Sequence, residues 1–167
     1  MTLTPQLHAS LVSIYEEIMW LARRPNVTPG RARAWYTHIM AEAVKRQIRR
    51  FTGEVSASAL ASTTEPLMLE HFKRIQTTLS ALVQSHREAN LSNAEEFVQI
   101  LIDYEQVHIV TRSENYAALR AKGDYDAAGI KLIAWASLPA ERQQVLWRTM
   151  LRGKVANAHE YSPPTEA

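Results

Sequence analysis

The chain contains no cysteine, which excludes a disulfide framework, a thiolate metal site and a cysteine nucleophile. Five glycines in 167 residues leave little for a phosphate cradle, and neither a phosphate-loop motif nor a Gly-x-Ser-x-Gly elbow occurs. Long apolar runs are missing as well. The longest nearly apolar stretch, residues 129–138, carries Lys131 and is about half the length a membrane span needs. The N-terminus has no basic start, and Glu16 and Glu17 interrupt the first apolar run, so no secretory signal is expected. A soluble chain in the cytoplasm, without cofactor or metal, is the expectation from these absences.

What is present is an ordinary globular composition, 46% apolar and 22% charged, long enough to bury about two-thirds of its unfolded surface. The net charge of +2 decides little, but its distribution is uneven. Residues 23–50 hold eight Lys/Arg against the single acid Glu42, and residues 85–128 hold four against eight Asp/Glu. Residues 141–154 return to four against one.

Helical signals dominate. Thr4 and Pro5 read as a cap and first helical residue, followed by an apolar stripe at Leu7, Leu11, Ile14, Ile18 and Leu21 that Pro25 stops. Thr28 and Pro29 repeat the start, and a second helix is expected through residue 51, closed by Gly53. Residues 52–64 read as a loop. Pro66 then opens a helix with the stripe Met68, Phe72, Ile75, Leu79 and Leu82. Ser92 and Glu95 form a capping-box pattern ahead of Phe97, Leu101 and Tyr104, and a last helix buries Leu138, Val145, Leu146 and Met150 before Gly153. The expected fold is a mainly α, bundle-like domain of five to seven helices over residues 1–156, with 157–167 a flexible tail.

Residues 107–136 admit two readings. "GDYDAAGIKLIAWASLP" resembles the second half of a tetratricopeptide repeat, with Gly123, Tyr125, Ala128 and Leu132 at matching positions and Trp135 where that repeat has alanine. This resemblance implies two antiparallel helices; no second copy is present to build a solenoid. The alternative is one short parallel strand pair near 107–135, joined by a helix. On that view His108, Thr111 and Asn115 would sit at a strand-to-helix turn, a frequent place for sites in α/β proteins.

On a helix over residues 31–51, Tyr36, Met40, Val44, Ile48 and Phe51 gather on one side, and Lys45, Arg46, Arg49 and Arg50 fall opposite with Trp35, His38 and Ile39. Cations with an interleaved indole suit a phosphate-bearing chain. Trp35, Lys45, Arg46, Arg49 and Arg50 are therefore the expected contact residues of a non-catalytic binding or scaffold protein whose partner is nucleic acid or an acidic protein. Arg142, Arg148, Arg152 and Lys154 extend that surface if the last helix lies alongside. A third reading makes Trp35 and Ile39 the seam of a structural homo-oligomer.

The segment "RAWYTH" resembles the Arg-x4-His signature of the HEPN ribonucleases, which are all-α and work at a dimer interface. The resemblance implies a dimeric, metal-independent ribonuclease. His38 would move protons to and from the ribose hydroxyl and the leaving oxygen, and Arg33 would stabilise charge on the phosphorus. Glu105 and His108 form one Glu-x-x-His pair, with His38 and Glu42 as a second arm, but di-iron bundles need two such pairs and two more Glu. No metal centre is expected.

Overall fold

The computed structural model describes residues 3–36, 42–71, 73 and 75–163. In chain order its elements are helices α1 (Pro5–Ala22), α2 (Pro29–Ala34) and α3 (Glu42–Ile48), strand β1 (Arg50–Ser56), helix α4 (Ala57–Ala61), strand β2 (Leu67–His71), helices α5 (Ile75–Glu88) and α6 (Ala94–Tyr104), strand β3 (Gln106–Thr111), helix α7 (Arg112–Arg120), strand β4 (Leu132–Ala134) and helix α8 (Ala140–Leu146). Beyond α8 the winding widens to a π-helix over Trp147–Leu151, and 3-10 turns cover Trp135–Ser137 and Ala158–Tyr161. A four-stranded mixed sheet in the order β2-β3-β1-β4 overturns the expectation of a mainly α bundle with at most one strand pair. The chain divides into a helical unit, residues 1–47 with 74–105, and a sheet unit, residues 48–73 with 106–167.

In the helical unit the local signals operate as read. The Thr4 hydroxyl accepts from the Leu7 N–H, and Thr28 does the same for Arg31, each satisfying one donor that a helix start leaves open. The cap of α6 is Asn93, one residue beyond the expected Ser92; its side chain accepts from the Glu96 N–H. Leu11, Ile18, Leu79, Phe97 and Leu101 are fully buried together with the ring of Tyr15. Tyr15 and Tyr36 both lie against Phe97, with centroids 5.7 and 6.0 Å away. Their hydroxyls are satisfied inside the unit: Tyr15 pairs with His86 Nδ1 at 2.8 Å, and Tyr36 donates to Glu105 at 2.8 Å. The other nitrogen of His86 meets Glu96 at 3.0 Å. A carboxylate, an imidazole and a phenol thus tie α6, α5 and α1 together.

The sheet unit holds the main corrections. The helix expected over 31–51 does not run through: α3 closes at Ile48, and Arg50 and Phe51 belong to β1. The stretch 52–64, expected as a loop, supplies most of β1 and all of α4. Pro66 opens a strand rather than a helix. β2 lies at the sheet edge, where a proline's missing N–H costs no ladder bond, and the Pro66 carbonyl accepts from Arg112. The stripe assigned to one helix from Met68 to Leu82 is therefore divided between β2 and α5, with Phe72 outside the described residues. The expected parallel strand pair within 107–135 is overturned as well: β3 and β4 stand at its two ends but do not pair with each other. β4 runs antiparallel to β1, and the parallel pair is β1 with β3.

From Phe51, opposite Val107, to Val55, opposite Ile109, β1 advances four positions while β3 advances two. This bulge is built on Gly53, whose φ of +86° disfavours any side chain and whose missing Cβ would lie 3.1 Å from the Tyr161 hydroxyl. One face of the sheet carries Phe51, Val55, Val107 and Ile109 into a core with Trp135, Leu138, Leu146, Met150 and Leu151. The other face carries the polar side chains of Thr52, His108 and Glu70, with the buried Val110 beside them.

Candidate functional site

Two sets of side chains in the sheet unit are arranged for chemistry or contact. The first is basic. β4 reaches only Glu54–Ser56 of β1, so the outer backbone edge at Arg49 and Phe51 has no strand beside it. The C-terminal segment fills that gap. The Ala156 N–H donates to the Arg49 carbonyl at 2.7 Å. The buried carboxamide of Asn157 accepts from the Phe51 N–H and donates to the Phe51 carbonyl, both at 2.9 Å. The Arg50 guanidinium donates to Glu160 at 2.8 Å. Partial burial pushes the Glu160 carboxyl upward, but the bonds from Arg50 and Asn157 outweigh it and hold the group below the ordinary carboxylate range.

This seating places Arg49 and Arg50 beside a segment that is itself cationic. Arg148, Arg152 and Lys154 are all exposed. Arg148 lies within the π-helix and Arg152 is the residue that ends it. Arg152 lies over the half-buried ring of Trp147, 5.6 Å from its centroid, and the indole N–H is held by the Ala158 carbonyl. Arg142, expected in the same set, is instead turned to the end of α4, where it donates to the carbonyls of Ala59 and Ser62 at 2.6 and 2.8 Å. A cation there satisfies carbonyls that the last helical turn leaves open.

The second set lies on the face of the sheet opposite its core. Thr52, His108 and Glu70 form a row across β1, β3 and β2, with Glu70 directly opposite His108. His108 is buried; its Nδ1 lies 2.6 Å from the Thr52 hydroxyl and 3.5 Å from Glu54. Tyr125 covers the row, its ring 5.4 Å from the imidazole and its hydroxyl donating to Glu70. Burial, the bond to Glu70 and the neighbouring carboxylates push the Tyr125 phenol well above its usual pKa. Glu114 completes the border: it accepts from the Ser56 hydroxyl at 2.5 Å and from the Thr111 N–H at 2.9 Å, while Thr111 caps α7 in return. The residues of β2 give no alternation that would announce this row, because Leu67, Met68 and Leu69 are three apolar residues in succession.

Burial lowers the His108 pKa to about 4, below the unfolded value of about 6.5. The folded imidazole stays neutral where the unfolded one takes up a proton. The stabilisation is therefore complete above about pH 6.5 and is lost as pH falls through that value toward 4. Wild type is expected to lose on the order of 2 kcal/mol more than His108→Gln across that window, measured as denaturant midpoints at each pH. Equal losses would show that another group sets the acid limit.

The remaining expected residues fall in the helical unit. The Trp35 indole donates to Glu17 at 2.6 Å, Lys45 lies 5.6 Å from the centroid of the Tyr36 ring, and Arg46 is exposed. Arg33 donates to the Ser80 hydroxyl at 3.3 Å; His38, its partner in the Arg-x4-His pair, lies outside the described residues, as does Ile39. Glu105 caps the end of α6 while His108 is inside β3, so their three-residue separation is not a helical one. Among the described residues no three His, Asp or Glu are grouped to hold a metal ion, and no helix is long and apolar enough to cross a membrane. No protein-family model matches the chain, and no curated protein or solved structure does either.

Proposed function

We propose that this protein is a non-catalytic binding or scaffold protein that contacts a polyanion, nucleic acid or an acidic protein, through its basic side chains. In the sheet unit the contact residues are Arg49, Arg50, Arg148, Arg152 and Lys154; in the helical unit they are Trp35, Lys45 and Arg46. The observation that carries this reading is the seating of residues 156–160 on the start of β1. It gathers cations from two distant parts of the chain, with Glu160 in direct contact with Arg50. Arg and Lys at such a surface neutralise phosphates and release their counterions, so affinity depends strongly on salt.

The test is charge reversal. With the triple variant Arg148→Glu, Arg152→Glu and Lys154→Glu, affinity for generic DNA or RNA at low salt is expected to fall by about a hundredfold. The slope of log affinity against log salt is expected to flatten by about three, one unit for each phosphate contact removed. An acidic polypeptide as the true partner would show the same loss with that ligand alone. Absence of wild-type binding to either ligand at low ionic strength ends the proposal.

A further inference from the structure

We infer that the helical unit carries a stacking site for an unpaired nucleobase at Trp20, which rests on the polyanion-binding reading and narrows it to single-stranded nucleic acid. Trp20 lies in the last turn of α1, on the side opposite the buried row Leu11, Ile14, Ile18 and Ala22. It is 57% exposed, whereas tryptophan is among the most buried residues on average. Its neighbour is a cation: the Arg24 guanidinium stands 4.0 Å from the ring centroid. A planar guanidinium over an indole gives a flat, cationic and aromatic platform, the surface on which bases stack irrespective of sequence.

The platform borders a depression of about 350 Å³ lined by Glu16, Met19, Trp20, Arg23, Arg24 and Ser92. Two arginines against one glutamate leave it cationic, complementary to a phosphate beside the stacked base. Hydrogen bonds tie together the chain around it. Arg23 donates to the Leu91 carbonyl at 3.0 Å, Arg87 to the Val27 carbonyl at 3.1 Å, and the Asn93 N–H to the Tyr15 hydroxyl at 2.9 Å. These bonds join the bend after α1 to the bend between α5 and α6, so the site loses little freedom on binding. A run of acidic side chains meets the arginines but offers the indole no π-face, whereas every base does. That difference selects nucleic acid.

The test uses the full chain, with fluorescence anisotropy of labelled oligothymidylate, a duplex of equal length and polyglutamate. Trp20→Ala is expected to weaken oligothymidylate binding about tenfold, Trp20→Phe to restore most of it, and both to leave the duplex unchanged. Oligothymidylate is also expected to quench the emission that differs between wild type and Trp20→Phe. Oligothymidylate affinity indifferent to Trp20→Ala, but lost on reversal of Arg148, Arg152 and Lys154, overturns the stacking site and leaves the broader reading standing. Polyglutamate affinity that falls with Trp20→Ala to the same extent assigns the site to an acidic peptide instead. No wild-type binding to any of the three removes both proposals.

Discussion

Phe51→Ala is expected to destabilise the sheet unit by about 3–5 kcal/mol, the range for deleting a fully packed aromatic ring. Phe51 is 2% exposed and stands where three pieces of the unit meet. Its ring lies edge-on to Trp135 at 5.5 Å and to Tyr161 at 4.8 Å, and Trp135 and Tyr161 are 5.7 Å apart. Truncation removes the transfer energy of the ring and both edge contacts, which contribute about 0.5–1.5 kcal/mol each beyond area. The cavity left between β1, the turn at Trp135–Ser137 and the turn at Ala158–Tyr161 closes only if those elements move. The check is the urea midpoint at constant slope. Phe51→Leu, which keeps most of the volume, is expected to recover more than half of the loss. A cost below about 1 kcal/mol for the alanine variant would mean that the ring is not packed among those partners.

The contrast between Phe51 and Leu11 shows which parts of this fold are legible in the residues. Leu11 belongs to a stripe of five apolar residues whose spacing is set by the helix that carries it, and Thr4 and Pro5 mark where that helix begins. All of this is local, and α1 is found where the pattern puts it. Phe51 also continues an apolar row, after Tyr36, Val44 and Ile48, but the row is interrupted after Ile48 by a change of structure that no neighbouring residue announces. What makes residues 50–56 a strand is pairing with residues 106–109, more than fifty positions away. β2 was hidden for a related reason: Pro66 is as good a first residue for an edge strand as for a helix, and the five residues after it are too few to establish a period.

The candidate surface divides in the same way. The runs of Arg and Lys are visible as charge, and so is the option that the last helix extends them. The joining of Arg49 and Arg50 to residues 152–160 depends on an asparagine in a stretch that reads as a tail. Nothing about "NAHEY" as a string distinguishes a side chain that completes a sheet edge from one in solvent. The His108 row fails for want of register, since placing Glu70 opposite His108 requires knowing both strands and their alignment.

Asn157→Ala is expected to cost about 2–4 kcal/mol, because one carboxamide replaces a missing strand. At Phe51 both main-chain polar groups face the side of β1 that β4 is too short to cover, and Asn157 satisfies the donor and the acceptor together. Alanine leaves a buried N–H and a buried C=O without that partner, at about 1–3 kcal/mol for each group. Tyr161 also donates to the Phe51 carbonyl, at 3.4 Å, which retains part of one bond and places the total below the simple sum. The same substitution separates fold from function. It removes no charge, yet it releases the segment that sets Arg152 and Lys154 beside Arg49 and Arg50. Affinity for oligothymidylate is therefore expected to fall several-fold at a temperature where the variant is still folded, while the salt slope stays nearly unchanged because the cations remain. Asn157→Asp keeps the acceptor for the Phe51 N–H but loses the donor and sets a second carboxylate beside Glu160, so it is expected to be no better than alanine. A variant that loses stability as stated but binds as wild type would show that the cations act without being held together, and the seating at β1 would then be architecture alone.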